Sequence, residues 1–569
     1  MLGYVCKYTP VEIFLSMGVE MKRLEPEVTN FTQADTQMHT NVCSYAKAVL
    51  EEAAAGDYEG IILTNCCDSI RRLYDTLRTY YPDKFFYLLD VPRKVNDFAV
   101  DLYEKHIREM IRAYETFSGR AFRESALRGL LSQTEIPEES LLDVPDEDNC
   151  IRLGVLGARC NAEILQILRS HGVRILFDLT CTGLSRHFAI DDSNLLSSYC
   201  AEILYQIPCM RMVKATNRTQ FLDGFTDRLD GILYHTIKFC DHYSYEYADL
   251  KQALSLPVLS VETDATRQSL GQIRTRLEAF IEELDIKKGL YGKSLHMTEF
   301  EPILTDRGNA KMYVLGIDSG STSTNAVILD GKMNILATHV VRTGAKTVDS
   351  AERILTEILE KASLVKTDIS LIVSTGYGRV SIPFADQNVT EISCHGKGAH
   401  FLNPDIRTIL DIGGQDSKAI RLNERGDVID FVMNDKCAAG TGRFLEMMAR
   451  TLEIGIDELG PISLKWKENI AISSMCSVFA ESEVISLIAL NREKADIAHG
   501  VHTAIAGKAM SLLKKVGLEQ GFMMTGGVAK NPGVVAVLED LLHARLFIYE
   551  EPEIVGALGA ALFGLESLG

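Results

Sequence analysis

The sequence predicts an α/β protein in two halves: two parallel-sheet α/β lobes first, then a duplicated pair of lobes. Three observations point there. In the first half, short apolar runs alternate with helical periodicity, the pattern of βαβ units and parallel sheets. In the second half, an apolar strand ending in Asp, a small-residue loop and another strand occur twice, which marks an internal repeat. The chain has 569 residues, 46% apolar and 24% charged, an ordinary globular composition long enough for several compact units.

In chain order, the candidate strands of the first half are residues 2–5, 60–63, 85–89, 151–156, 174–179, 231–235 and 257–261. Helical periodicity fills most gaps, as at 42–54 and 273–284. A polar, proline-containing stretch at 132–148 divides this half into lobes of 1–140 and 141–285. Residues 286–311 are mixed and unpatterned and read as a linker to a second half at 312–569. That half opens with strands at 313–318, 323–329 and 335–342, an antiparallel meander with Asp330-Gly331 as a tight turn. A gapless alignment then sets Asp318-Ser-Gly-Ser-Thr-Ser-Thr on Asp411-Ile-Gly-Gly-Gln-Asp-Ser, and Ala326-Val-Ile-Leu on Ala419-Ile-Arg-Leu.

Charge and cysteine usage narrow the function. With 59 Lys+Arg against 78 Asp+Glu the net charge is −19, which argues against a nucleic-acid partner held through its phosphates. No apolar run approaches the ~18 residues of a spanning helix. The first twenty residues carry an acidic residue inside their apolar stretch and no basic start, so they do not read as a signal peptide. A cytoplasmic protein without a membrane partner is expected. The thirteen cysteines are an odd count without an export signal, so metal, cluster or redox roles outrank disulfides. Ten precede residue 241; the rest are Cys394, Cys437 and Cys476.

The repeated loops suit a nucleotide. Glycine lets the backbone approach an anion, and closely spaced N–H groups and hydroxyls can hold phosphate oxygens. The candidates are Gly320, Ser321, Thr322, Ser323 and Thr324 in the first loop, and Gly413 and Gly414 in the second. Asp318 and Asp411 end their strands at the loop mouths, where carboxylates can hold Mg²⁺ through its waters. A later strand-to-helix turn, with Gly526, Gly527 and Val528, is apt for a nucleoside.

Two groups of cysteines stand out. Cys437 and Cys476 each precede a helical pattern, at 442–452 and 478–490, and a helix N-terminus favours thiolates and anionic clusters. Two thiolates cannot complete a four-cysteine site, whereas a two-fold dimer can. In the first half, Cys6, Cys66, Cys67, Cys181 and Cys240 follow strand ends, where ligands of open α/β sheets gather. Cys43 follows Asn41 in the first turn of a helix and Cys209 follows a proline; neither position alone says much. Cys150, Cys200 and Cys394 read as structural, and Cys160 stays undecided.

The second half resembles the sugar kinase, heat-shock chaperone and actin ATPases. The likeness is carried by Gly316-Ile-Asp-Ser-Gly-Ser-Thr-Ser-Thr, Asp411-Ile-Gly-Gly-Gln-Asp and Thr525-Gly-Gly-Val-Ala. Within that superfamily it is most similar to activators of 2-hydroxyacyl-CoA dehydratases and ATPase subunits of benzoyl-CoA reductases. Asn434-Asp-Lys-Cys-Ala-Ala-Gly-Thr-Gly-Arg-Phe-Leu-Glu446 and Met475-Cys-Ser-Val-Phe-Ala-Glu-Ser-Glu483 carry this narrower likeness. Residues 1–285 resemble the cluster-bearing subunits of the same enzymes. The matching segments are Asn41-Val-Cys-Ser-Tyr-Ala, Asn65-Cys-Cys-Asp-Ser-Ile-Arg-Arg-Leu-Tyr74, Leu89-Asp-Val-Pro-Arg93, Lys238-Phe-Cys-Asp241, Glu262-Thr-Asp264 and Gly271-Gln-Ile-Arg-Thr-Arg-Leu-Glu-Ala-Phe280.

The resemblance implies actin- and sugar-kinase-like ATPase lobes, with Asp318, Asp411 and Gln415 catalytic and with ATP and Mg²⁺ as ligands. It implies a homodimer with one 4Fe–4S cluster bridging two subunits through Cys437 and Cys476. In the first half it implies a cluster on Cys43, Cys67 and Cys240, Cys67 being favoured over Cys66 because it precedes Asp68. Cys6, Cys181 and Cys209 would bring the ligands to six, enough for two linked cubanes as in the related double-cubane cluster proteins. The implied activity is ATP-driven transfer of a low-potential electron from ferredoxin or flavodoxin to a dehydratase-like module, in this chain or in a separate dehydratase subunit. Such an electron can form a ketyl radical on a 2-hydroxyacyl-CoA. Alternative readings are a double-cubane reductase of a small molecule, a sugar-type kinase without redox chemistry, and a non-catalytic nucleotide sensor.

Overall fold

Strand–helix alternation in the first half becomes two parallel sheets. The computed structural model describes residues 1–568 apart from 27, 40, 134–149, 182–191, 207–208, 213–220, 265, 267–269, 289–311, 345, 435–439 and 473–476. Most of the proline-containing stretch, most of the expected linker, Cys437 and Cys476 lie outside the described residues. Internal contacts divide the chain into two compact units, Met1–Leu277 and Glu278–Gly569.

In the first unit, β1 (Leu2–Tyr4), β2 (Met21–Arg23), β3 (Gly60–Thr64) and β4 (Phe85–Leu89) form a parallel sheet in the order β2-β1-β3-β4. A second parallel sheet, ordered β6-β5-β7-β8, holds β5 (Arg152–Gly157), β6 (Arg174–Thr180), β7 (Gly231–Ile237) and β8 (Val258–Thr263). Every residue of β3 and of β7 is buried, as expected of strands covered on both faces. The edge strand β2 was not legible in the sequence, because Met-Lys-Arg has neither the length nor the apolar content of a strand. Strand addition reverses direction between β1 and β3, and again between β5 and β7. Such switch points open crevices at the carboxyl ends of strands.

The second unit repeats one sheet. Strands β9 (Tyr313–Ser319), β10 (Ser323–Asp330) and β11 (Ile335–Arg342) form the antiparallel meander, and β12 (Ile369–Thr375) and β13 (Gln387–Asn388) add in parallel beside β9. The second copy comprises β14 (Thr408–Ile412), β15 (Ser417–Leu422), β16 (Val428–Asn434), β17 (Phe522–Thr525) and β18 (Leu546–Phe547). The orders β11-β10-β9-β12-β13 and β16-β15-β14-β17-β18 are equivalent. Register agrees as well: Asp318 pairs with Asn325 and Thr375, and Asp411 pairs with Lys418 and Thr525. The connection after β10 is longer than a two-residue turn. Asp330 closes it by accepting from Lys332 N at 2.8 Å and Asn334 N at 2.9 Å.

Two helices cross closely in this unit, Glu391–Leu402, which packs on β14, β15 and β16, and Val555–Leu568, which packs on β9, β10 and β12. Glycines let their backbones touch. A Cβ on Gly398 would lie 2.2 Å from the Val555 carbonyl oxygen, and one on Gly559 would lie 1.8 Å from the Cys394 carbonyl oxygen. Cys394 itself is buried at this crossing. No helix among the described residues is long and apolar enough to cross a membrane.

Candidate functional site

The two small-residue loops of the second unit face each other across a cleft. It is lined by Asp318 and Gly320 to Ser323 on one side and by Asp411, Gly413 and Gly414 on the other, with Gly526, Gly527 and Val528 behind them. Both loops close with the same hydrogen bond: Gly320 N donates to Ser323 O, and Gly413 N donates to Asp416 O, each at 3.0 Å. These four residues are related by the same offset that aligns Asp318 with Asp411. Their approach is close, since a Cβ on Gly414 would lie 2.2 Å from Thr322 Cγ2. The carbonyls of Gly413 and Gly414 accept from Gly442 N and Arg443 N, which fixes the second loop on the start of the helix Gly442–Thr451. Gly526 has φ +82°, open to glycine, and a Cβ there would fall 2.8 Å from Asp411 Oδ1.

Two expected residues stand apart from this lining. Thr324 alternates to the other face of β10, where its hydroxyl bonds Thr343 Oγ1 at 2.8 Å and Ser350 Oγ at 3.1 Å. Gln415 is exposed at the tip of the second loop, with Oε1 oriented to accept from Arg443 Nη2 at 2.8 Å.

The cleft also holds residues that sequence reasoning missed. Lys418 is buried and reaches Glu391 at 2.6 Å, Asp416 at 2.8 Å and Asp411 at 3.1 Å. His395 Nε2 lies 3.4 Å from Asp411 Oδ1, and Thr525 Oγ1 donates to the same oxygen at 2.9 Å. Burial works against both cations, but the carboxylates prevail: His395 is raised to about 9 and Lys418 lies well above its ordinary value. Asp411 is buried as well, yet Lys418 and His395 hold it well below the usual carboxylate range. Asp318 goes the other way. Burial, with Glu391 close by, pushes it up to about 7 against the pull of His395 and Lys418. Asp318 Oδ1 and the facing Asn325 Oδ1 are buried at the cleft without a hydrogen-bond partner. Oxygen donors in an acidic pocket fit a hard divalent cation such as Mg²⁺. Glu391, His395 and Asp411 are also close enough to share an ion, but Lys418 already supplies the positive charge there.

In the first unit, thiols gather at the carboxyl ends of both sheets. Cys6 follows β1, Cys66 and Cys67 follow β3, Cys181 follows β6 and Cys240 follows β7. Cys43, Cys67 and Cys240 are the N-cap residues of the helices Ser44–Ala55, Asp68–Tyr80 and Asp241–Ala253, and none caps through its sulfur. Seven thiols share one electrostatic neighbourhood. Burial, then Cys66 and Cys209, raise Cys6 to about 11. Burial raises Cys181 to about 12, against a hydrogen bond to Tyr243 Oη at 3.1 Å, and Cys209, Cys6 and Cys66 add to the rise. Cys240 is raised by burial and by Cys181, Cys43 and Cys66.

Cys66 is coupled to Cys6, Cys181 and Cys240, and in turn to Cys67, which caps its helix beside it. Cys200 is buried in the helix Leu195–Tyr205, and Cys160 is buried near Asp178 rather than near other thiols.

Comparison with known proteins agrees with this division. Residues 315–564 match the BadF/BadG/BcrA/BcrD ATPase family, and residues 6–135 and 132–284 match the 2-hydroxyglutaryl-CoA dehydratase D-component. The activator of lactoyl-CoA dehydratase from Anaerotignum propionicum is 49% identical over 256 residues, covering 45% of this chain and 98% of the relative. The 2-hydroxyisocaproyl-CoA dehydratase activator of Clostridioides difficile is 43% identical over 255 residues, covering 45% of this chain and 96% of the relative. Among solved structures, component A of the Acidaminococcus fermentans (R)-2-hydroxyglutaryl-CoA dehydratase is 42% identical, covers 45% of this chain and 100% of its own, and superposes with a TM-score of 0.44.

Proposed function

Because the chain belongs to the BadF/BadG/BcrA/BcrD ATPase family and carries a dehydratase D-component unit in the same polypeptide, we propose that it is an ATP-driven electron-transfer protein serving an iron–sulfur module of its own. The observation that carries this reading is the convergence of seven half-buried thiols in a chain that also has a two-loop phosphate cleft. The donor set fits an iron–sulfur group: several sulfurs in a dry crevice, with pKa values raised so that binding metal would release protons. When bound, such a cluster supplies a one-electron carrier. Cys43, Cys240 and one of the pair Cys66 and Cys67 would hold one four-iron unit, and Cys6, Cys181 and Cys209 would hold another. Two cubanes on these thiols would make the chain a double-cubane reductase, and one would make it a single-cluster dehydratase.

At the cleft, Asp318 and Asn325 would bind Mg²⁺, the two loops would hold the triphosphate, and the turn at Gly526 would approach the nucleoside. His395 and Lys418 would neutralise Asp411 and keep Mg²⁺ on the Asp318 side. Ferredoxin or flavodoxin would supply the electron, with a 2-hydroxyacyl-CoA or another small molecule as acceptor. Among the described residues none of the eleven cysteines is held in a disulfide, which suits a reducing, cytoplasmic compartment.

Iron and sulfide counts on the anaerobically purified full chain test the module. About eight iron atoms in this unit are expected for two cubanes and about four for one. Cys181→Ser or Cys209→Ser should then remove up to about half of that iron. Iron unchanged in both variants would leave the single-cluster reading, and iron-free protein would end both.

A homodimer with a shared cluster on Cys437 and Cys476 is the second part of the proposal. The helix Ser477–Ala489, immediately after Cys476, exposes Phe479, Ile485 and Ile488, and Leu490 beyond its end is 69% exposed. Apolar surface of this kind suits contact with a second copy. Cys437→Ser and Cys476→Ser should each abolish the shared cluster, since each takes two of four ligands from the dimer, while nucleotide binding survives. An iron-loaded monomer with an unchanged spectrum would contradict the bridge.

A further inference from the structure

Glu282 lies on the helix Leu270–Lys288 and does not line the cleft. Its half-buried carboxylate accepts from Thr390 N at 3.0 Å, from Thr390 Oγ1 and from Ser393 Oγ. Thr390 is the N-cap of the helix Glu391–Leu402 and makes no capping bond through its own side chain. A helix start leaves N–H groups unsatisfied and carries partial positive charge, so an imported carboxylate clamps it in place. The residues that follow the clamp are Glu391, which bonds Lys418, and His395, which faces Asp411.

One helical turn before Glu282, Glu278 pairs with the buried guanidinium of Arg379. Arg379 Nη1 in turn donates to Gly376 O at 3.1 Å. Gly376 has φ +86° and packs so closely that a Cβ there would lie 2.4 Å from Asp318 Oδ1. Two carboxylates on one face of one helix therefore act on opposite sides of the cleft, Glu282 through Thr390 and Glu278 through Arg379 and Gly376. Glu282 belongs to the stretch matched by the dehydratase D-component, 132–284, and lies outside the ATPase match at 315–564.

We infer that Glu282 is a positioning residue for ATP turnover, holding the helix that presents Glu391 and His395 in its productive place. The inference rests on the ATPase reading of the cleft. In the full chain, Glu282→Ala should lower kcat for Mg·ATP hydrolysis about tenfold, with KM within about threefold, because no nucleotide contact is removed. Glu282→Gln keeps an acceptor for Thr390 N and should recover most of that loss.

Asp318→Asn, measured in parallel, reports on the cleft itself. A wild-type chain that does not hydrolyse ATP, or an Asp318→Asn chain that hydrolyses it normally, removes the ATPase reading and the inference with it. The Glu282 role alone is overturned if the cleft behaves as expected and both folded Glu282 variants keep kcat within about twofold, or change only KM. Should Glu282→Ala fail to fold, Ser393→Ala decides: a fall in kcat of about threefold supports the clamp, and an unchanged kcat overturns it.

Discussion

Asp318→Asn is expected to lower Mg·ATP turnover at least about a hundredfold while leaving the fold intact, the scale seen when one preorganised electrostatic group is removed from an active site. Asp318 ends β9 at the mouth of the first loop, and its Oδ1 has no protein partner to lose. The substitution therefore costs little in packing and removes the charge that a divalent cation needs. Stability should even rise slightly, because a buried carboxylate pushed up to about 7 is replaced by a neutral amide. Steady-state hydrolysis, with thermal unfolding of the same sample, checks both halves of the expectation. Wild-type turnover in the variant would remove Asp318 from the site.

The second large effect is structural. Gly559→Ala puts a Cβ 1.8 Å from the Cys394 carbonyl oxygen, a backbone atom that cannot swing aside. Alanine gains about 1 kcal/mol over glycine in a helix, but overpacking at a backbone contact costs about 3 kcal/mol or more, so the clash wins. Gly507→Ala is the matched control. It lies in the helix Lys494–Val516 with nothing within 4 Å of an added Cβ, so only the propensity gain remains. Urea or thermal unfolding should move in opposite directions for the two variants. A Gly559→Ala chain as stable as the wild type would mean that the two helices can separate at no cost.

How much of this was legible in the sequence depends on what each feature asks of neighbouring residues. The strands were legible because buried parallel strands such as β3 and β7 are continuous apolar runs. The duplicated loops were legible because an Asp followed by small residues recurs at a fixed offset. Thr324 was misjudged because strand alternation sends it to the opposite face from Ser323, which lines the cleft. The preference for Cys67 over Cys66 rested on order alone, whereas which thiol faces the others depends on how the chain turns from β3 into the helix Asp68–Tyr80. Glu391 and His395 left only the weak signal of a four-residue spacing on one helix face. Lys418 left a better one, a charged residue in β15 at the repeat position of Asn325, next to the second Asp, and the repeat alignment could have found it.

That one mismatch between the copies has a directional consequence. Two identical lobes would present a ligand with a cleft that looks the same from either end, and a nucleotide could enter it head-first or tail-first. Lys418 abolishes that ambivalence. It cancels charge beside Asp411, whereas uncharged Asn325 leaves Asp318 without a protein cation at the corresponding place. The cleft has a filled end and a hungry end, so a metal–phosphate complex bound there would have a single way to sit. Duplication supplied the clamp, and the exchange of one amide for one ammonium gave it a polarity.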